Sequence, residues 1–309
     1  MQLILYVFAL ALVRFLQMLP ISFVAVIGRG GGAIACALDV RHRKIAIANL
    51  TAAFGAEKSP QEIRAIVREH FRRLGENYCC AVKTASMDWP ELKHRVEFTG
   101  WELIMPAPTM TPPSLVFAIG HFGNFELYAR YMQFLPAFQC ATTYRALGQP
   151  LLNRLMQSLR ERSGCLYFER RRDANALRAA MKPTGVILGL LADQHAGSGG
   201  IWLPFFGREC STSAAPALFA LRYHLALHPC ICYRVGLARW RIETSPQIPT
   251  LDSEGRPRPA EEITLDVNRA YEAAIRRDPA NWFWVHNRWK PGGPRQIAKA
   301  VPAEPAVES

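Results

Sequence analysis

Ser114-Leu-Val-Phe-Ala-Ile-Gly120, followed at once by His121-Phe-Gly-Asn-Phe-Glu126, is the stretch that decides the fold and points to the chemistry. Residues 115–119 are apolar without a break. They follow the breaker Thr111-Pro112-Pro113 and stop at Gly120. A short apolar run between turn residues predicts a fully buried strand. This one delivers a histidine into a glycine-bearing turn. In open α/β sheets, sites collect at such strand ends.

Working outward, Val186–Ala192 (VILGLLA) predicts a second buried strand. Ala141–Tyr144, Leu166–Phe168, Pro229–Val235 and Arg239–Thr244 predict further strands. Between them, Leu152, Leu155, Met156 and Leu159 share one face of a helix expected over 149–163. Asp173 is placed to cap a helix through Met181; Thr212–His224 and Glu261–Arg277 also predict helices. Upstream, Ser59-Pro60-Gln61-Glu62 is a helix start, with an N-cap serine, proline in the first turn and a glutamate completing a capping box. Ile63, Ile66, Val67, Phe71, Leu74 and Tyr78 continue it at helical spacing. Strands alternating with helices predict an α/β layered domain over 95–293, preceded by a helical lead-in over 29–94. From Pro294 a polar, proline-bearing tail is expected to be mobile.

The N-terminal end is different. Residues 1–28 are nearly apolar, interrupted by Arg14 and Pro20. That length is enough to cross a bilayer core of about 30 Å. A membrane-associated helical segment is therefore expected, with a single span favoured over a helix pair lying in the interface. Arg29, Arg41, Arg43 and Lys44 follow, which places the body of the chain on the cytoplasmic side. The run Gly28-Arg-Gly-Gly-Gly-Ala33 has a superficial likeness to a dinucleotide loop. It lacks the acidic residue about twenty positions on, so close helix packing by small residues is the expected role.

The chain has 309 residues, half of them apolar, which excludes a disordered or collagenous protein. A net charge of +12 favours acidic partners. The eight cysteines form no CxxC pair, which fits buried free thiols rather than a zinc site or a disulfide framework. Arg170-Arg171-Arg172 is expected to be a solvated basic loop, and His286 a core histidine beside Trp282, Trp284 and Trp289.

In the turn after the first strand, Gly123 allows close approach of backbone to a ligand. A loop leading into a helix start would bring Glu126 back to His121, and an imidazole oriented by a carboxylate is a general base. No G-x-S-x-G nucleophile elbow occurs. A histidine base without a serine or cysteine nucleophile points to direct transfer onto a substrate hydroxyl, with no covalent acyl-enzyme.

The His-x4-Glu spacing of His121 and Glu126 resembles the lysophospholipid acyltransferase superfamily. More specifically, the chain resembles the bacterial lipid A biosynthesis acyltransferases, the late lauroyl and myristoyl transferases. The likeness runs from the N-terminal apolar segment to about Lys290. It includes the basic stretch Arg41–Leu50, Thr143-Tyr144-Arg145 (lacking the Pro that follows in the family), Arg160-Glu-Arg162 and Ala192-Asp193-Gln194. It also includes Trp202-Leu-Pro-Phe-Phe-Gly207 and Trp282-Phe-Trp-Val-His-Asn-Arg-Trp-Lys290.

The resemblance implies a glycerol-3-phosphate acyltransferase-like layered α/β domain with an N-terminal apolar membrane helix segment. It implies transfer of a fatty acyl chain from acyl carrier protein or acyl-CoA to a hydroxyl of a lipid A precursor. The enzyme would sit at the bacterial inner membrane with its catalytic domain facing the cytoplasm. His121 would be the base and Glu126 would hold it, with Arg160 and Asp193 at further positions needed for activity. Arg160 would stabilise the thioester oxyanion or bind donor phosphate. Gly123, Asn124 and Arg145 would contact substrate. No cofactor, metal or nucleic acid is implied. The alternatives are another acceptor, such as a phosphatidylinositol mannoside or a lysophospholipid, and, in a different class, a metal-dependent hydrolase using His121, Glu126, Asp193 and His195. A non-catalytic basic membrane or nucleic-acid-binding protein would explain the charge but not the strand-end motif.

Overall fold

The computed structural model describes residues 2–105, 111–182 and 184–290; the tail expected from Pro294 lies outside them. Five helices come first: α1 (Gln2–Met18), α2 (Ile21–Leu38), α3 (Val40–Phe54), α4 (Pro60–Ser86) and the single turn α5 (Trp89–Leu92). Then come β1 (Val96–Thr99), β2 (Leu115–Ile119), the turn α6 (Tyr131–Phe134), β3 (Gln139–Tyr144), α7 (Pro150–Arg160), β4 (Leu166–Glu169), α8 (Ala174–Ala180) and β5 (Val186–Leu191). The chain continues through β6 (Ile201–Phe205), β7 (Arg208–Thr212), α9 (Ala215–Tyr223), β8 (Ala226–Gly236), β9 (Arg239–Thr244) and α10 (Ala260–Arg277).

Among the described residues seven strands form one sheet in the order β1-β9-β8-β2-β5-β3-β4, and β6 and β7 form a separate antiparallel hairpin. All neighbours in the large sheet are parallel except β8 and β9. The unbroken apolarity of β2 follows from its central place. Leu115, Phe117 and Ile119 point into one buried cluster, Val116 and Ala118 into the other. A strand covered on both faces needs apolar side chains at every position.

The capping box at the start of α4 is present: Glu62 N–H donates to Ser59 Oγ, and Ser59 N–H donates to the Glu62 carboxylate. Asp173 does not cap α8 with its side chain; its carboxylate accepts instead from Glu169 N–H at 2.7 Å. Three strands carried no clear signal. β1 is a four-residue edge strand. The hairpin strand β6 contains Pro204, which is tolerated only because no second strand pairs on its far side.

The boundary expected at residue 28 falls inside α2. This helix lies along α4, with Gly28 and Gly32 at the contact. A Cβ on Gly28 would come 2.5 Å from Gly75 O, and one on Gly32 would come 2.0 Å from Phe71 O. The glycines therefore serve close helix packing, as expected from the small-residue run. Arg29 lies between them and pairs with Glu69 at 3.0 Å and the fully buried Glu76 at 3.1 Å.

All eight cysteines are free thiols. Burial pushes Cys140 up to about 12 and raises Cys230 and Cys232 further, so these three behave as apolar filler rather than as nucleophiles.

Candidate active site

β2 and β5 are adjacent and parallel, with Ile119 opposite Leu191. The residues two places beyond this pair are His121 and Asp193. Register alone therefore brings them together, although 72 positions separate them in sequence. His121 Nδ1 lies 2.8 Å from Asp193 Oδ1, and the His121 backbone N–H donates to Asp193 Oδ2 at 2.9 Å. Trp282 Nε1–H also donates to Oδ2, at 2.8 Å.

Asp193 is 1% exposed. Burial alone would raise its carboxyl. The facing imidazole and the hydrogen bonds from His121 and Trp282 outweigh burial and hold it below the ordinary carboxylate value. An ionised acceptor at Nδ1 fixes the proton on that nitrogen and leaves Nε2 with its lone pair. Nε2 has no protein partner among the described residues. The ring is packed edge-on to Phe125 at 4.8 Å and against Phe283 at 5.7 Å.

The carboxylate in contact with His121 is that of Asp193, and Glu126 lies against Arg160 instead. After His121 the chain enters a 3-10 turn over Phe125–Arg130 rather than an α-helix. That turn sends Glu126 to Arg160, at the end of α7. Both carboxylate oxygens are used: Arg160 Nη2 to Oε1 at 2.6 Å and Nε to Oε2 at 3.1 Å. The guanidinium also lies over the rings of Tyr167 (5.0 Å) and Tyr144 (5.9 Å). Burial would lower its affinity for the proton, but the Glu126 hydrogen bonds and charge raise it. Arg160 is thus a rigid, fully charged clamp. Glu126 in turn helps push the Tyr78 phenol up to about 12, after burial as the first cause.

His121, Glu126 and Arg160 all line one cavity of about 1040 Å³, and Gly123, Asn124 and Arg145 line it too. The α4 residues Leu74, Tyr78 and Ala81 form part of its wall, and Met156 and Leu159 of α7 form another part. A cavity of that size, mostly apolar with a few converging polar groups, suits a large amphiphilic ligand.

Gly123 has φ +51°, and a Cβ there would come 2.7 Å from Cys232 O. Its N–H is already given to Asn281 O. Glycine is therefore required by the turn against β8, and this N–H is not free for a ligand. Asn124 is 1% exposed, and neither amide atom has a protein partner. Arg145 is exposed at the cavity and makes no ion pair among the described residues.

The C-terminal motif backs the site. Asn49 of α3 donates to Trp284 O (2.8 Å) and His286 O (2.7 Å), tying the basic stretch to the Trp-rich ending. His286 is not sealed in the core; it reaches the cavity and accepts from His195 N–H at 3.0 Å. Burial, with Lys290 and Arg288 nearby, pushes it down to about 4. Arg288 is fully buried and donates to Ser211 O and Thr212 Oγ1. The run Arg170-Arg171-Arg172 is exposed, as expected, and Glu169 accepts from the backbone N–H of Arg171 and Arg172. Nothing in the sequence marks Trp282 as a donor to Asp193 beyond its place in the Trp-x-Trp-x-His run. The ligand set of a metal hydrolase is not assembled. Glu126 is turned to Arg160, and among the described residues no three His, Cys, Asp or Glu converge as ligands.

The profile of a family described as bacterial lipid A biosynthesis acyltransferase matches residues 2–291. A lipid A biosynthesis palmitoleoyltransferase of Escherichia coli (strain K12) is 26% identical over 278 residues, covering 88% of this chain and 86% of the relative. A lipid A biosynthesis lauroyltransferase of the same strain is 26% identical over 279 residues, 88% of this chain and 87% of the relative. A lipid A biosynthesis acyltransferase of Shigella flexneri is likewise 26% identical over 278 residues. With almost its whole length matched by one family, and a histidine–carboxylate pair at the wall of a lipid-sized cavity, this chain belongs to the bacterial lipid A biosynthesis acyltransferase family and is an acyltransferase of that pathway.

Proposed function

We propose that the protein moves a fatty acyl group from an acyl thioester of acyl carrier protein or coenzyme A to a hydroxyl of a lipid A precursor, with His121 as general base and no acyl-enzyme. The observation that carries this reading is the His121–Asp193 pair, which presents Nε2 at the cavity wall. The acceptor oxygen attacks the thioester carbonyl carbon as its proton passes to Nε2. The imidazolium is stabilised by the ionised Asp193. The C–S bond then breaks, and the departing thiolate takes the proton back from Nε2. No protein nucleophile enters the sequence.

Arg160, held by Glu126 and the two tyrosines, offers Nη1 to the thioester oxygen or to donor phosphate. The buried, unpartnered amide of Asn124 and the uncompensated charge of Arg145 suit the polar head of the glycolipid. The sheet, with its pair at the ends of adjacent strands, supports grouping with the glycerol-3-phosphate acyltransferase-like folds over residues 95–293. The apolar start of the chain and the family support attachment at the inner membrane, with the catalytic domain on the cytoplasmic side.

The test is mass spectrometry of membrane glycolipids from cells with the protein, without it, and with His121→Ala. A positioned base is worth about 10²–10⁴-fold. The variant should lose at least that while remaining folded and abundant in the membrane fraction. Retention of more than about a tenth of wild-type transfer is incompatible with a base at this position. A covalent acyl adduct trapped with donor and no acceptor would replace direct transfer with a two-step route.

A further inference from the structure

α2 is the one described helix long and apolar enough to cross a membrane. One whole side of it is already occupied. Val24 and Ala25 are fully buried, and at Gly28 and Gly32 its backbone rests directly on the backbone of α4. Between those glycines, Arg29 is held by Glu69 and Glu76, both on α4. A crossing α2 would carry α4 with it. α4 exposes Arg64, Arg68 and Arg72 and supplies cavity wall through Leu74 and Tyr78. Exposed arginines of that kind are not tolerated in hydrocarbon.

α1 does not replace it as a span. Leu16 is buried, and Gln17 O accepts from Lys83 Nζ at 2.7 Å, which ties the end of α1 to α4. Arg14 is exposed one turn earlier. The 17 residues of α1 rise about 25 Å, short of a hydrocarbon core of about 30 Å.

The free faces of both helices are nonetheless strongly apolar: Phe8, Leu12 and Phe15 of α1, and Phe23, Ile34 and Leu38 of α2. Residues 1–55 carry Arg14, Arg41, Arg43 and Lys44, besides the Arg29 already paired on α4, against Asp39 alone. Apolar outer faces flanked by cations match an anionic lipid surface.

We infer that α1 and α2 lie in the plane of the cytoplasmic leaflet, seated by these outer faces in an anionic bilayer, and that neither crosses it. This deepens the membrane placement proposed above. α4 then stands between bilayer and cavity, a thickness of roughly 10 Å.

The experiment reads location, so it stands apart from any assay of acyl transfer. Full-length protein with an N-terminal epitope tag is treated with protease in intact spheroplasts and in inverted inner-membrane vesicles. The tag should be removed from inverted vesicles only; removal from intact spheroplasts overturns the inference. In parallel, purified protein is mixed with vesicles containing phosphatidylglycerol. Phe23→Gln/Ile34→Gln/Leu38→Gln should bind at least about tenfold more weakly, since anchoring scales with buried apolar area. If that variant does not fold, Phe8→Gln/Leu12→Gln on α1 gives the same readout without touching the α2–α4 contact. Unchanged vesicle binding by the folded variant overturns the inference. So does a variant that turns a dimer into a monomer and still binds vesicles, because the face would then be an interface between copies of this chain.

Discussion

Replacing Asp193 by Asn separates the roles of the two carboxylates at the site. Asp193 accepts three hydrogen bonds: two at Oδ2, from His121 N–H and Trp282 Nε1–H, and one at Oδ1, facing His121 Nδ1. An asparagine keeps only one oxygen. If that oxygen stays with the two fixed donors, the amide NH₂ faces Nδ1. Nδ1 must then accept, and the imidazole proton moves to Nε2. The nitrogen that should take the hydroxyl proton is then already protonated, and the imidazolium has lost its counter-charge. A wrong-tautomer histidine of this kind costs about 10⁴-fold in a well-studied triad, so a loss of roughly 10³–10⁴ in kcat is expected here. Glu126→Gln leaves the imidazole untouched and loosens only the Arg160 clamp, so a loss of about tenfold to a hundredfold is expected from mispositioning alone. The assay is single-turnover transfer from a labelled acyl thioester to a lipid A precursor, with unfolding midpoints measured on the same preparations. His121→Ala/Asp193→Asn should be little worse than His121→Ala, because the two act as a unit. If folded Asp193→Asn stays within tenfold of wild type while Glu126→Gln falls as far as His121→Ala, the assignment is wrong and Glu126 is the orienting group after all.

Two stability predictions follow from packing and protonation. Gly32→Ala puts a Cβ 2.0 Å from Phe71 O and must push α2 off α4, whereas Gly31→Ala meets nothing within 4 Å. The first should destabilise by about 1–3 kcal/mol and the second should be neutral or stabilise by up to about 1 kcal/mol, read as opposite shifts in thermal unfolding midpoint. His70 is pushed from 6.5 to about 4, by burial first, so it is neutral in the folded protein at pH 6 while the unfolded chain takes up a proton there. Stability should therefore fall as pH drops from 6.5 towards 4, and His70→Asn should flatten that part of the midpoint-versus-pH curve.

Much of the fold was legible because burial on both faces leaves a plain trace. The uninterrupted apolar runs at 115–119 and 186–191 gave the two central strands, and the Ser59–Glu62 box gave the start of α4. The edge strand β1 and the hairpin carrying Pro204 were illegible for the same physical reason. Strands with solvent or no partner on one side tolerate polar residues and proline. At the site, the position of His121 was readable and its partner was not. Spacing along the chain suggested Glu126, five residues away. The true neighbour is set by strand order, because β5 pairs with β2. Sequence gives no direct view of which strands pair. The diversion of Glu126 also depends on a 3-10 turn where a helix start was expected, and on an arginine 34 positions downstream.

Because His121 and Asp193, the proposed catalytic pair, stand just beyond the ends of β2 and β5, one ladder of backbone hydrogen bonds holds them. Everything the chain builds between those strands, from α6 through β3, α7, β4 and α8, leaves from one rail and returns to the other. That excursion carries Arg145, Met156, Leu159 and Arg160, four of the groups that line the cavity. The enzyme is thus divided into a fixed reactive frame and a replaceable cassette. On the proposed mechanism, changes of length or shape in the cassette would alter what fits without altering the distance over which the proton moves.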